Sequence, residues 1–267
     1  MSPPSSSEAP APARAGTAPS PAATPSAVLA ALRGRIQALE RPCARTERVH
    51  PFGIAALDAH LPEGGLALGA LHEIAGGGAD AVPAAAATLF VAGMLARLAG
   101  GRPVVWCAAT QDLFPPGLAC AGLDPARLLH TAAQDEKTVL LVMEEALRHP
   151  GLAAVVGELT KLPMVASRRL ALAAEKSGVM AIALRRRREG RPAEEGLSAA
   201  ATRWCVTPLP ATALPVPGGE ALGRARWQVA LTRCRGGEAA QWIMEACDAQ
   251  GCLAVPAELE HRQGAAA

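Results

Sequence analysis

The chain has 267 residues, enough for one sizeable core or for one domain with tails. Half of its residues are hydrophobic, only 3% are aromatic, tyrosine is absent, and the formal net charge is +2, too small to mark a nucleic-acid binder by charge alone. The seven cysteines (Cys43, Cys107, Cys120, Cys205, Cys234, Cys247 and Cys252) form no CxxC pair, and no ligand at zinc spacing follows Cys247 and Cys252, so no metal site is expected and the thiols read as free in a reducing cytoplasm.

Residues 1–25 are mostly Pro, Ser and Ala. They lack a basic stretch followed by an apolar core, so they do not read as a secretory signal, and they are expected to be a disordered tail. Residues 26–50 read as an amphipathic helix with a linker. Ser26 caps it, Leu29, Leu32, Ile36 and Leu39 form its stripe, and Pro42 stops it. That stripe either packs on its own domain or docks on a neighbouring protein.

From residue 51 to about 235 the pattern becomes that of a core. Strands are expected at 71–75, 103–108, 128–131, 152–157 and 179–184. Helices are expected at 83–99, at 136–148 before His149-Pro150-Gly151, and at 167–177 closed by Gly178. The apolar run 84–99 is short and interrupted by Arg97, which makes it a core helix and not a membrane span. Strands alternating with helices imply a parallel sheet with helices on both faces. Residues 203–207 and 226–233 follow as strands without helices between them, an antiparallel extension. Residues 236–267 read as a C-terminal tail with a helix over 241–250 that ends at Gly251. Trp242, Ile243 and Leu253 in this tail either pad the core or meet a partner, and partner contact is preferred because an exposed apolar stripe would otherwise invite aggregation.

The expected strand 71–75 runs into Gly76-Gly77-Gly78-Ala79-Asp80-Ala81-Val82-Pro83 and then into a helix. Strand, glycine-rich loop, helix is the layout of a phosphate-binding loop. Such a loop needs backbone N–H groups around the phosphates, a Lys for the terminal phosphates and a Ser or Thr for Mg²⁺. Counted from Gly76, the second glycine position is Ala81, the lysine position Val82 and the hydroxyl position Pro83. Asp80 adds a carboxylate where phosphates would sit, and two like charges about 4 Å apart repel by roughly 4 kcal/mol at an effective dielectric of 20. No nucleotide cofactor is expected.

Phe52-Gly53-Ile54-Ala55-Ala56-Leu57-Asp58 and Gly64-Gly65-Leu66-Ala67-Leu68-Gly69-Ala70-Leu71-His72-Glu73-Ile74 resemble the opening of the RecA core. More narrowly, Ala166-Ser167-Arg168-Arg169-Leu170-Ala171-Leu172-Ala173-Ala174-Glu175-Lys176-Ser177-Gly178-Val179 and Val28-Leu29-Ala30-Ala31-Leu32-Arg33 are similar to stretches of the ImuA family, RecA-like accessory proteins of bacterial mutagenic translesion synthesis. The resemblance spans roughly residues 27–262. It implies a doubly wound, RecA-like α/β fold and a cytoplasmic, non-catalytic scaffold of SOS-induced translesion synthesis. Its partners would be an ImuB-type Y-family-like protein, an error-prone C-family DNA polymerase and RecA, with no membrane. The position of RecA's water-activating glutamate falls on Ala109 or Thr110, and the strand Val155-Val156 is followed by Gly157-Glu158, where Glu158 either holds a metal or, without phosphate-loop chemistry, reads as a capping or hydrogen-bonding residue. Rival readings are a RecA-like DNA-binding ATPase with an atypical site and a SulA-like division inhibitor.

Arg185, Arg186, Arg187 and Arg188, with Arg191, follow the last parallel strand. RecA carries a mobile DNA-binding loop at the matching place. This run is either a solvated charge cluster, partly neutralised by Glu189, Glu194 and Glu195, or a weak, nonspecific contact to a DNA backbone. Trp204 and Trp227 lie in strand-like runs and read as core. The six histidines show neither metal spacing nor a nucleophile arrangement, so His72 beside Glu73 is expected to be structural, and no catalytic acid–base pair is present.

Overall fold

The computed structural model describes residues 49–78, 81–98, 100–186, 196–216 and 218–256. The chain divides into residues 1–45 and 46–267, and all the described residues fall in the second unit. The expected tail over 1–25 and the helix bearing Leu29, Leu32, Ile36 and Leu39 lie outside the described residues.

The order of elements is β1 (Val49–His50), α1 (Ala55–Asp58), β2 (Leu66–Ala67), β3 (Leu71–Gly76), α2 (Ala81–Leu98), β4 (Val104–Ala108), α3 (Pro115–Cys120), β5 (Leu128–Ala132), α4 (Glu136–Ala146), β6 (Ala154–Leu159), α5 (Met164–Ser177), β7 (Met180–Arg185), β8 (Thr202–Leu209), β9 (Ala213–Val216), β10 (Gly219–Leu222), β11 (Arg226–Cys234) and β12 (Ala240–Glu245). Eight strands form one sheet in the order β12-β11-β8-β3-β7-β6-β4-β5. The six from β8 to β5 are parallel, while β11 runs antiparallel to β8 and β12 antiparallel to β11. The result is a RecA-like α/β fold with an antiparallel C-terminal extension. Two small antiparallel ladders, β1 with β2 and β9 with β10, stand apart from the sheet.

Alternation along the strands splits the core between the two faces. Val104, Trp106, Ala154, Val156, Ile182 and Trp204 face one side with Phe90, Val91 and Leu95 of α2. Val105, Cys107, Val155, Ala181 and Ala183 face the other with Val139 and Met143 of α4 and Leu170 and Ala174 of α5. By length and composition α2 would cross a membrane, but half of it is buried within this fold, against β3 and β8. Phe52, Phe90, Trp204, Trp227 and Trp242 form a continuous aromatic cluster on the α2 side, with ring centroids 5.4–6.4 Å apart. Trp204 and Trp227 are thus core, as read from the sequence.

Helix ends follow local chemistry. Asp135 caps α4 by accepting the Thr138 N–H at 2.7 Å. Gly178 ends α5 in the left-handed region at φ 76°, where a side chain would be strained. Two expectations fail. Residues 203–207, expected in the antiparallel extension, lie in β8, which pairs parallel with β3 and antiparallel only with β11. Residues 241–250 form no helix: β12 pairs with β11 over Ala240–Glu245, and Asp248 then organises a turn by accepting the N–H groups of Gln250 and Cys252, both at 2.9 Å. Pairing with β11 overrides the helix propensity of Ala, Gln, Met and Glu. The sheet therefore continues past residue 235.

Candidate functional site

In an open α/β sheet the carboxyl ends of the parallel strands hold the ligand. Here those ends carry Gly76 to Gly78 after β3, Ala109 to Asp112 after β4, Glu158 to Lys161 at the end of β6, and Arg185 and Arg186 at the end of β7.

The segment leading to β3 is organised by Asp58. Its carboxylate accepts the N–H groups of Phe52 at 2.7 Å, Gly53 at 2.8 Å and Ile54 at 3.1 Å, which explains a Phe-Gly-Ile-x-x-Leu-Asp spacing without recourse to a ligand. His72 on β3 is buried and satisfied at both nitrogens. Nε2 is 2.9 Å from the Ala67 carbonyl oxygen, which only accepts, so Nε2–H donates there. Nδ1 is then left to accept from Thr202 Oγ1–H at 2.7 Å, and Thr202 Oγ1 in turn accepts Trp204 Nε1–H at 2.8 Å. Burial pushes the imidazole down to about 4, so this histidine is neutral. The structural role expected for His72 is what the geometry gives.

The glycine loop keeps its strand-loop-helix frame but spends its contacts on the protein. Gly77 N–H donates to Val206 O at 2.8 Å. A Cβ on Gly77 would fall 1.7 Å from Thr207 Oγ1, and one on Gly76 would fall 2.5 Å from the Pro83 carbonyl oxygen, so both glycines are required by close approach to β8 and α2. Gly78 packs near the Pro83 ring. Val82, at the lysine position, is 65% exposed, and Pro83 is buried with no hydroxyl to offer. Asp80 lies outside the described residues. The groups present do not fit a triphosphate with its Mg²⁺: there is no ammonium or hydroxyl at the matching positions, and one loop amide is already bonded.

The neighbouring strand ends are joined by ion pairs. Glu158, nearly buried, accepts Trp106 Nε1–H at 2.8 Å and pairs with Arg186 Nε at 2.9 Å. Arg186 also pairs with Asp112. Burial raises the Glu158 carboxyl from its ordinary value, and Arg186 and the Trp106 N–H oppose that rise. A second buried carboxylate, Glu73 of β3, takes Arg185 Nη1 and Arg203 Nε, each at 3.3 Å. Arg185 also donates to Thr160 O at 2.8 Å, and Arg203 to Gly196 O at 2.8 Å. Of the five arginines singled out for DNA, Arg185 and Arg186 thus point into ion pairs with buried carboxylates. Arg187, Arg188 and Arg191 lie outside the described residues. Ala109 and Thr110 are exposed and offer no carboxylate to activate a water. No group of three or more His, Cys, Asp or Glu is placed to hold a metal among the described residues.

The C-terminal residues pack along the edge of the core. Trp242 on β12 meets His60 edge-on at 5.2 Å and Trp204 at 6.3 Å, and Leu253 packs against the same core cluster, while Ile243 stays partly exposed at 36%. Trp242 and Leu253 are thus half-buried against the core cluster. Sequence reasoning missed Glu73, Arg203, Asp112 and Trp106. A glutamate within the apolar run Leu71 to Ile74 was the one visible signal that something cationic must come to it.

No protein-family model matches the chain. It is 41% identical over 207 residues to Protein ImuA from each of two strains of Caulobacter vibrioides, covering 74% of this chain and 83% of theirs. The chain belongs to the ImuA family. The glycine loop and the salt-linked strand ends are the features this ImuA-family member presents where a RecA-like fold would hold its ligand.

Proposed function

We propose that this ImuA-family protein is a non-catalytic scaffold of SOS-induced, error-prone translesion DNA synthesis in the cytoplasm. It joins an ImuB-type Y-family-like protein to an error-prone C-family DNA polymerase and engages RecA through the shared fold. Family membership supports the mutagenesis role. The non-catalytic reading is carried by one observation above all: the phosphate-loop positions hold Ala81, Val82 and Pro83, and the loop amide of Gly77 is bonded to Val206 O. Arg185 and Arg186 take no part in any DNA contact in this reading, since both already serve buried carboxylates. Weak, salt-sensitive DNA contact is left to Arg187, Arg188 and Arg191.

The test is a pull-down of purified ImuB-type protein and of the C-family polymerase by the tagged full-length chain, with and without MgATP. Capture of the ImuB-type protein, unaffected by nucleotide, is expected. Failure to capture either protein, or capture that requires hydrolysable ATP, overturns the proposal.

A further inference from the structure

Three strand ends meet at one guanidinium. Arg186 is the first residue past β7, and its backbone N–H donates to Leu159 O at 2.8 Å, which seats its side chain beside β6. Its Nε lies 2.9 Å from Glu158 Oε2, and its Nη2 pairs with Asp112 Oδ2 in the segment after β4. The two carboxylates differ sharply in setting: the Glu158 side chain is 3% exposed and that of Asp112 59%.

A carboxylate as enclosed as Glu158 is tolerated only with donors and a nearby cation. The Trp106 Nε1–H supplies one neutral donor to Oε1. Asp112 works against the charged form, and His130 at the edge strand β5 acts weakly for it. Arg186 is the guanidinium that balances this pocket. It also does something a neutral donor cannot, since one rigid fork contacts carboxylates from two different chain segments. Bridging two oxygen ligands from adjacent strand ends is what a bound divalent cation does.

We propose that Arg186 is a built-in counter-ion: it fills from within the chain the place between Glu158 and Asp112 that a ligand cation would otherwise take, and so holds the carboxyl edge in one closed arrangement. The inference rests on the reading of this edge as non-catalytic. The edge is then not an eroded site left open. It is a site closed by the protein's own charge, which ties the segment after β4 to β6.

The experiment uses the full chain and Mn²⁺ alone. Four tryptophans give four indole N–H signals, and that of Trp106 is identified by its loss in Trp106→Phe. In the unaltered protein Mn²⁺ leaves the Trp106 signal sharp. In Arg186→Met, submillimolar Mn²⁺ broadens that signal selectively, and in Arg186→Met/Glu158→Gln the broadening disappears. Melting temperature falls in Arg186→Met and recovers most of the loss in the double variant, because the uncompensated buried charge has gone. The proposal is overturned if Mn²⁺ leaves the Trp106 signal of Arg186→Met unchanged, or broadens that of the unaltered protein equally. Should Arg186→Met not fold, Arg186→Lys is read instead: a point charge can serve Glu158 but not both carboxylates, so amides 109–112 should exchange faster than in the unaltered protein, and unchanged exchange overturns the proposal. Nucleotide binding by the unaltered protein would defeat the non-catalytic reading itself, whereas a Mn²⁺-indifferent Arg186→Met defeats only the counter-ion.

Discussion

Arg185 Nη1 lies 3.3 Å from Glu73 Oε2, across 112 residues of sequence. Arg203 reaches the same carboxylate, so one buried glutamate on β3 holds the two arginines that flank residues 187–195. Glu73→Gln should therefore loosen both stems at once. Breaking a buried pair by removing one partner costs about 3 kcal/mol. Urea denaturation should show that loss, and amides of residues 196–200 should exchange faster, while Glu220→Gln on the exposed β10 changes neither. A loss within a few tenths of a kcal/mol would mean the pair is not holding the stems.

A Cβ on Gly93 of α2 would lie 2.1 Å from Cys247 Sγ and 2.7 Å from Cys247 Cβ. Gly93→Ala should destabilise the fold by about 1–3 kcal/mol through overpacking. Gly93→Ala/Cys247→Gly should recover part of that loss, since the clashing atoms are gone. Thermal melts of the two variants and the unaltered protein check this, and a harmless Gly93→Ala would mean the turn after β12 is not seated on α2.

His72 gives the fold a defined acid sensitivity. Its folded value of about 4 lies below the ordinary 6.5, so between these values the unfolded chain binds a proton that the folded chain refuses. Stability from this residue is fully present above pH 6.5 and is lost as pH falls towards 4, a change on the order of 3 kcal/mol. The raised Glu158 carboxyl contributes with the opposite sign just above its ordinary 4.5, so the comparison is made against His72→Gln. Stability measured from pH 7.5 to 4.5 should fall more steeply for the unaltered protein than for His72→Gln, and parallel curves would remove His72 as the cause.

Trp242→Ala should cost about 2 kcal/mol, less than a fully buried tryptophan, because the ring packs on Trp204 but sits on an edge strand. Deleting residues 238–267 removes β12 and bares β11. Loss of solubility or a much lower melting temperature is expected, and a truncated protein as stable as the full chain would show that β12 is dispensable.

The frame of the fold was legible where chemistry is local. The glycine run after residue 75, the stripe of α5 and Gly178 at its end each announce themselves within a few residues, and β3, α2, α5 and β7 lie close to where the sequence puts them. As strands, β8 and β11 follow from their period-two patterns, but the parallel pairing of β8 with β3 does not. What failed was non-local. Gln241, Met244 and Glu245 favour a helix until β11 is beside them. The hairpin β9–β10 was marked only by Pro217-Gly218-Gly219, and α3 only by Pro115-Pro116 at its start. In the candidate site the losses at Ala81, Val82 and Pro83 could be counted off the sequence. The replacement could not, because Arg186 looks like one member of a basic run until Glu158 and Asp112 are placed around it.

We propose that this carboxyl edge is closed to nucleotide and that the protein acts by binding partners. Isothermal titration of the full-length chain with MgATP, paired with a thermal melt at millimolar MgATP, decides the matter. No saturable heat and an unchanged melting temperature are expected. Saturable binding, with a rise in melting temperature that EDTA abolishes, would contradict it.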